Sequence, residues 1–371
     1  MRIAMFGHKR IPSREGGVEI VVEELSTRMA ALGHNVTCYN RMGRHIGGVS
    51  HGAGGEKTCS GVKIRRVPTI DRKGLAAVSS SFCAATACAF STAQVIHIHA
   101  EGPAIMCWLP RLFGKRVVVT IHGLDWQRKK WAGSFGAKFI HLGEKMAVKY
   151  AHEIIVLSEN VRDYFLKTYG RETVYIPNGV TRPEIRPADV IARRYGLEKD
   201  GYILFLGRLV PEKGAHYLIQ AFRDVVTEKK LVIAGSTSDS SDYGSELENL
   251  SQGDDRILFT GFVQGRILEE LYSNAWIYVL PSDLEGMPLS LLEAMSYGCC
   301  CLVSDIPECM EVVGDWAKLF KRGNVSDLKD QLQYLCGTQE RTLGARERIA
   351  EYVCGKYSWD KTTLETLELY E

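Results

Sequence analysis

Several familiar signatures are missing from this sequence, and each absence removes a class of function. The opening run Ile3-Ala4-Met5-Phe6 is too short for the apolar core of a secretory signal and reads as a first strand. The longest weakly polar stretch, residues 76–98, is broken by Ser, Thr, Gln and His; it reads as a buried helix followed by a strand, not as a membrane span. A cytoplasmic protein is therefore expected. No Cys-x-x-Cys or paired Cys/His spacing supplies a zinc site, although the chain holds 11 cysteines. Their odd number and irregular placement argue against a disulfide framework, and Cys299-Cys300-Cys301 reads as small core residues where a strand begins. The Gly-x-Gly-x-x-Gly fingerprint is absent after the first strand, so a nicotinamide dinucleotide site gains little support. No Asp-x-Asp occurs; Asp239, Asp242, Asp254 and Asp255 sit in polar loop sequence. Internal repeats and low-complexity tracts are likewise missing.

What is present begins with length. At 371 residues the chain exceeds one ordinary core and suits two domains. Its net charge of +2 conceals an asymmetry: residues 1–180 hold 25 Lys/Arg against 13 Asp/Glu, and the remainder holds 21 against 31. A basic first half suits an anionic acceptor or membrane surface, and equally suits complementary faces of two docked domains. Short apolar runs at 3–7, 35–39, 62–67, 95–99, 117–122, 153–158 and 173–177 read as strands, with amphipathic segments at 18–32 and 138–151 between them. Asn178-Gly179-Val180, Pro183 and Pro187 then punctuate a linker. Alternation resumes with strands at 202–206, 231–235, 257–262, 277–280 and 300–305 and helices near 215–226, 264–273 and 289–297. The pattern predicts two doubly wound α/β domains with parallel sheets, joined near residue 185, and a site in the cleft between them.

Two motifs in the second half carry the chemistry. Gly207-Arg208-Leu209-Val210-Pro211-Glu212-Lys213-Gly214 sets two cations around a strand-to-helix turn. A forked Arg with a point-charge Lys suits a diphosphate whose leaving-group charge grows in the transition state. Alone, such a pair would be solvated surface. Some seventy residues on, Glu285-Gly286-Met287-Pro288-Leu289-Ser290-Leu291-Leu292-Glu293-Ala294 sets two carboxylates around a helix start. Gly286 permits a tight turn, Pro288 suits the first helical position, and amides around Met287–Ser290 suit phosphate. Acids near a helix N-terminus are also favourable for the dipole alone.

In the first half, Gly16-Gly17 opens a helix and allows close approach of backbone to phosphate, or serves as a simple turn. The strand 117–121 delivers His122-Gly123 at its carboxyl end, where a His can hydrogen-bond a sugar hydroxyl or serve structure alone. Two tryptophans and three cations in Trp126-Gln127-Arg128-Lys129-Lys130-Trp131 suit an acceptor or membrane patch, or an ordinary solvated loop. Ser158-Glu159-Asn160 reads as a helix cap.

Together the two motifs of the second half resemble the retaining glycosyltransferases of family 4, which have the GT-B fold of two Rossmann-like domains facing a cleft. The run from His122 to Trp131 resembles a subgroup of bacterial polysaccharide glycosyltransferases that includes rhamnosyltransferases, although Gly123 follows the His where many relatives have Asp, which leaves the part of Asp125 open. The resemblance implies a domain of residues 1–182 on the acceptor side, a donor domain of 183–355, and a closing helix within 356–371 that packs back on the first. It implies that Gly207, Arg208 and Lys213 bind the donor diphosphate. Glu285 and His122 would hold the donor sugar, and Glu293 the ribose. Gly16 and Gly17 would reach donor and acceptor, and Gly286, Met287, Pro288, Leu289 and Ser290 would form the phosphate turn. Gly235, Phe262 and Val263 would line the nucleobase pocket. The implied reaction moves a sugar, with retention, from a nucleotide sugar to a glycan or lipid-linked acceptor in cell-envelope polysaccharide synthesis. No metal or other cofactor is expected, because Arg208, Lys213 and helix amides can take the role of a bridging ion. Peripheral contact with anionic membrane at the inner face of the plasma membrane would be compatible with this; nucleic acid is not expected as a partner. The same architecture also serves nucleotide-sugar 2-epimerases, and a non-catalytic nucleotide-sugar-binding module would keep much of the same residue set.

Overall fold

The central strands of this chain, such as Val95–His99 and Ile277–Leu280, are runs of mostly apolar residues buried on both sides. In the computed structural model, residues 1–43, 58–70, 72, 75–127, 135–237, 241–337 and 343–371 are described. They form two compact units, one of Met1–Asn178 with Trp359–Glu371 and one of Gly179–Ser358.

The first unit contains strands β1 (Arg2–Phe6), β2 (Asn35–Arg41), β3 (Thr58–Cys59), β4 (Val62–Val67), β5 (Val95–His99), β6 (Arg116–Ile121), β7 (Glu153–Val156) and β8 (Val174–Tyr175). Its helices are α1 (Gly17–Ala31), α2 (Leu75–Ala89), α3 (Glu101–Ala104), α4 (Trp108–Leu112), α5 (Phe135–Tyr150) and α6 (Glu159–Tyr169). The sheet order is β3-β4-β2-β1-β5-β6-β7-β8, and every pairing is parallel except the β3–β4 hairpin. Ala4, Phe6, Ile96, Ile98, Val117 and Val119 face one core, into which α2, α3 and the turn before α4 bring small residues such as Ala84, Ala85, Ala104 and Cys107. Small side chains there let the helices lie close to the sheet. The expected cap on α6 is present: Val161 N–H donates to Ser158 Oγ at 3.4 Å, and Gly170 ends the helix at φ +60°.

The second unit contains β9 (Tyr202–Leu206), β10 (Lys230–Ala234), β11 (Ile257–Gly261), β12 (Ile277–Leu280), β13 (Cys301–Ser304) and β14 (Lys318–Phe320). Around them lie α7 (Val190–Tyr195), α8 (Ala215–Arg223), α9 (Ser241–Ser251), α10 (Arg266–Asn274), α11 (Leu289–Ser296), α12 (Pro307–Val313), α13 (Val325–Gly337) and α14 (Leu343–Lys356). The order is β11-β10-β9-β12-β13-β14, parallel throughout. Strand residues alternate between two cores: Tyr202, Leu204, Tyr278 and Leu280 face one, while Ile203, Phe205, Ile277 and Val279 face the other. Cys299 and Cys301 are fully buried.

α15 (Trp359–Glu368) belongs to the first unit. Thr362 Oγ1 donates to the Pro177 carbonyl at 2.8 Å, Arg116 Nε donates to the Leu369 carbonyl at 2.6 Å, and the Tyr370 hydroxyl lies 2.6 Å from His97 Nδ1. Among the described residues no helix is long and apolar enough to cross a membrane.

Four expectations change in detail. β3 and β14 are additional strands, each only two or three residues long at a sheet edge. Pro288 sits one position before the first turn of α11, as its N-cap, with φ −77° and ψ 96°. Lys213 closes a separate 3-10 turn, Pro211–Lys213, and Gly214 at φ +69° is the N-cap of α8. The helix expected to be buried within residues 76–98 is α2, whose outer side is exposed at Leu75 and Phe82.

Candidate active site

Each sheet has one place where consecutive strands depart to opposite sides, and loops at the carboxyl ends of such strands open a crevice. In the second unit that place lies between β9 and β12. The loop after β9 carries Gly207, Arg208 and Lys213, and the loop after β12 carries Glu285 and Gly286. The two loops meet. Lys213 Nζ donates to both carboxylate oxygens of Glu285, at 2.6 and 2.8 Å. The two side chains are only 15% and 7% exposed. Ser282 Oγ donates to Glu285 Oε1 at 2.6 Å, and Ser304 Oγ at the end of β13 donates to the Ser282 carbonyl at 2.6 Å. Three strand ends thus fix one carboxylate against one ammonium. Arg208 is half-buried in the same loop as Lys213.

Two glycines make the apposition possible. A β-carbon on Gly214 would lie 1.9 Å from the Pro281 carbonyl oxygen, and one on Gly235, at φ +151°, would lie 1.8 Å from the Gly207 carbonyl oxygen. Both backbones pass where no other residue fits.

Glu293 lies on α11, where it receives a hydrogen bond from the Tyr272 hydroxyl at 3.1 Å. The Tyr278 hydroxyl donates to Ser290 Oγ at 2.8 Å, which ties the first turn of α11 to β12. Met287 and Leu289 pack partly against the core beneath. Beside the Arg208 loop is an open pocket of about 300 Å³, lined among others by Leu209, Gly235, Ser236, Thr237, Glu248 and Gly261. That size suits part of a nucleotide. Of the residues expected at a nucleobase, Gly235 lines this pocket. Phe262 is 45% exposed, and Val263 packs partly against the core.

In the first unit the corresponding place lies between β1 and β5. A β-carbon on Gly7, at φ +114°, would lie 2.0 Å from the His99 carbonyl oxygen, so the two strand ends are tightly apposed. His8 follows β1, His99 ends β5 and His122 follows β6. His99 Nδ1 and His122 Nε2 are 3.1 Å apart, so one ring donates and the other accepts. Burial pushes His122 down to about 4 against the opposing pull of Asp125 and Glu19, and pushes His8 down to about 4 as well. His99 is held well below its ordinary value by burial and by its histidine neighbours. His122 is therefore a neutral imidazole at neutral pH, suited to hydrogen bonding with a hydroxyl.

Gly16 is the extended N-cap of α1 and Gly17 its first residue. Close by, Glu19 Oε1 accepts the Lys9 N–H at 2.8 Å, which brings a buried carboxylate to the loop. Asp125 begins a 3-10 turn after His122, and its N–H donates to Glu101 Oε2 at 2.9 Å. Glu101 is wholly buried, and burial together with Asp125 raises it well above the carboxylate range. Arg128–Trp131 and Asp239 lie outside the described residues.

Sequence reasoning missed His8, Glu19, His99, Glu101, Ser282 and Ser304. The alternating His97-Ile98-His99 at a strand end was a readable signal for one of them. The others become neighbours only through the strand order.

Comparison with known proteins completes the picture. Residues 189–353 match the family described as Glycosyl transferases group 1, and residues 15–182 match Glycosyltransferase Family 4. An uncharacterized glycosyltransferase of Methanocaldococcus jannaschii is 28% identical over 307 residues, covering 75% of each chain. The O-antigen chain mannosyltransferase B of Escherichia coli is 28% identical over 186 residues, covering 49% of this chain and 48% of its own. Among solved structures, the Anabaena protein HepE in complex with UDP-glucose matches with a TM-score of 0.80 at 15% identity, covering 99% of this chain and 98% of its own, a likeness of fold.

Proposed function

The chain belongs to glycosyltransferase family 4 and has its GT-B fold, and from that premise we propose that it transfers a sugar from a nucleotide-diphosphate sugar to a hydroxyl of a glycan or lipid-linked acceptor, retaining the anomeric configuration and needing no metal. The observation that carries the reading is the meeting of Lys213 and Glu285 at the β9/β12 crevice, with Arg208 on the same loop. A half-buried ammonium held by a carboxylate is poised to exchange partners. An incoming diphosphate competes for Lys213 and Arg208, and Glu285 is then released toward the hydroxyls of the sugar. As the bond from the anomeric carbon to the diphosphate breaks, both cations compensate the charge gathering on the leaving oxygen. The acceptor oxygen bonds to the anomeric carbon on the face being vacated, and its proton passes to the departing phosphate. His122, neutral and anchored by His99, offers a hydrogen bond to a donor-sugar hydroxyl. The pocket beside Gly235 suits the nucleoside, with Glu293 on α11 as the acid for the ribose hydroxyls. Polysaccharide assembly is the proposed setting, supported by the O-antigen relative and by the basic first half of the chain.

Thermal stabilisation by UDP-, GDP-, ADP- and dTDP-sugars, with and without EDTA, tests this directly. One nucleotide is expected to raise the melting temperature, indifferent to EDTA, and Arg208→Ala should abolish the shift. Glu285→Ala should keep nucleotide binding and lower kcat by about a hundredfold or more, the scale of losing one preorganised polar contact. Unchanged turnover in Glu285→Ala would remove that residue from the mechanism. NMR of the product's anomeric configuration decides retention, and a C2-epimerised sugar formed without acceptor would overturn transfer altogether.

A further inference from the structure

α2 contains no charged side chain over its fifteen residues, although a surface helix ordinarily carries charge on its solvent side. Its inner side packs Ala84, Ala85 and Cys88 into the core. Outside, Leu75 is 48% exposed, Phe82 54%, and Phe90 just past the helix 72%. Spacings of seven and eight residues align these three as one stripe. Phe90 meets Phe113 edge to face, with ring centroids 4.7 Å apart, and Leu112 beside it is 74% exposed. The end of α4 thus widens the apolar stripe.

α2 packs beside α3 and α4, which in turn pack beside α5. On α5, Lys138, Leu142, Lys145 and Lys149 are all exposed, at the four- and three-residue spacings of a single helix face. Arg111 is exposed at the end of α4. The acids on these four helices are Glu101 and Glu144, both wholly buried. The outer side of this layer therefore offers aromatic and aliphatic groups interspersed with cations, and no exposed carboxylate among the described residues of α2–α5.

We infer that this face docks on an anionic lipid bilayer. Hydrocarbon accepts the Leu75–Phe82–Phe90 stripe with Leu112 and Phe113, and anionic headgroups pair with Arg111 and the α5 lysines. A second copy meeting the same face by two-fold symmetry would set lysine against lysine. The surface lies on elements that also support the candidate site. Trp126, four residues past His122, stacks on His141 of α5 with ring centroids 4.6 Å apart. Docking of α5 would therefore hold the His122 loop beside the membrane from which a lipid-linked acceptor comes. The purpose rests on the proposed acceptor; the surface itself does not.

Flotation with vesicles of phosphatidylcholine alone, or with about one-third phosphatidylglycerol, tests the inference at low and high salt. The protein is expected to float with anionic vesicles only, and less in high salt. Leu112→Ser/Phe113→Ser should lose binding, and Lys138→Gln/Lys145→Gln/Lys149→Gln should weaken it by roughly a hundredfold, at about fivefold per lysine. The lysine variant changes only exposed groups, so it remains decisive if the apolar variant misfolds. Absence of flotation by the unaltered protein, or equal flotation by the lysine variant, would overturn the inference. So would a dimer in sedimentation velocity that Phe113→Ser dissolves. Nucleotide-dependent thermal stabilisation, measured alongside, reports on the donor reading separately and should be the same in all variants.

Discussion

Single residues decide the shape of the β9/β12 crevice. Gly214 and Gly235 each combine a positive φ with a backbone oxygen under 2 Å from any added β-carbon. Gly253 shares the positive φ, +82°, but has open space around it. Gly253→Ala should therefore cost about 1 kcal/mol from backbone conformation alone. Gly214→Ala and Gly235→Ala should cost at least about 3 kcal/mol and weaken nucleotide binding, because the backbone must move as well. Urea titration of the three variants checks the ranking, and equal losses would contradict it. Lys213 and Glu285 were legible in the sequence because their motifs place charge at strand-to-helix turns. Ser282 and Ser304 were not, since a serine at a strand end is common, and only the β12–β13 pairing brings Ser304 beneath Ser282.

Among the elements, α7 shows how a short helix is held by a distant side chain. The wholly buried Glu270 of α10 accepts the N–H groups of Asp189 and Ile191 at 3.0 Å each, and Arg266 Nε donates to it at 2.6 Å. Burial pushes this carboxyl up, but the Ile191 N–H, Arg266 and the Asp189 N–H outweigh it and hold it below its ordinary value. The sign follows: Glu270 stabilises the fold above the unfolded carboxylate pKa, and that share is lost as pH falls toward the folded value. Glu270→Ala should cost roughly 1–3 kcal/mol at neutral pH by leaving the Asp189 and Ile191 amides without their acceptor. Glu270→Gln should flatten the acid limb of stability against pH, which denaturant melts at stepped pH would register. The strands were readable because parallel strands buried on both faces are continuous apolar runs; β3 and β14 were too short to make one. α2 misled for a physical reason. A helix without charge looks buried, and composition does not distinguish a protein core from an exposed apolar face.

For the molecule as a whole, the histidines of the first unit tie stability to pH. His8, His97 and His99 are buried, and His122 is half-buried. Burial holds His97 at about 3, helped by His122, while His8 and His122 sit at about 4. Unfolded histidines take up protons below about 6.5, whereas these do not, so folding stability is full above that pH and falls as pH drops toward 4. Each such group contributes up to about 1.4 kcal/mol per pH unit across that window. Melting temperature should decline steeply from pH 6.5 to 5, and His97→Gln should reduce the slope; a flat profile would mean that these rings are protonated in the fold. The His97-Ile98-His99 alternation and His122 were readable one at a time, but not as a cluster, because β1, β5 and β6 become neighbours only through the sheet order. The placement of α15 has a different consequence, for biosynthesis. The first unit is made of Met1–Asn178 and Trp359–Glu371, with Gly179–Ser358 intervening. On the ribosome, its sheet emerges early but must wait for some 180 residues of translation before Leu369 and Tyr370 can reach Arg116 and His97. The second unit is free to fold during that interval, so the half of the protein that is begun first is finished last.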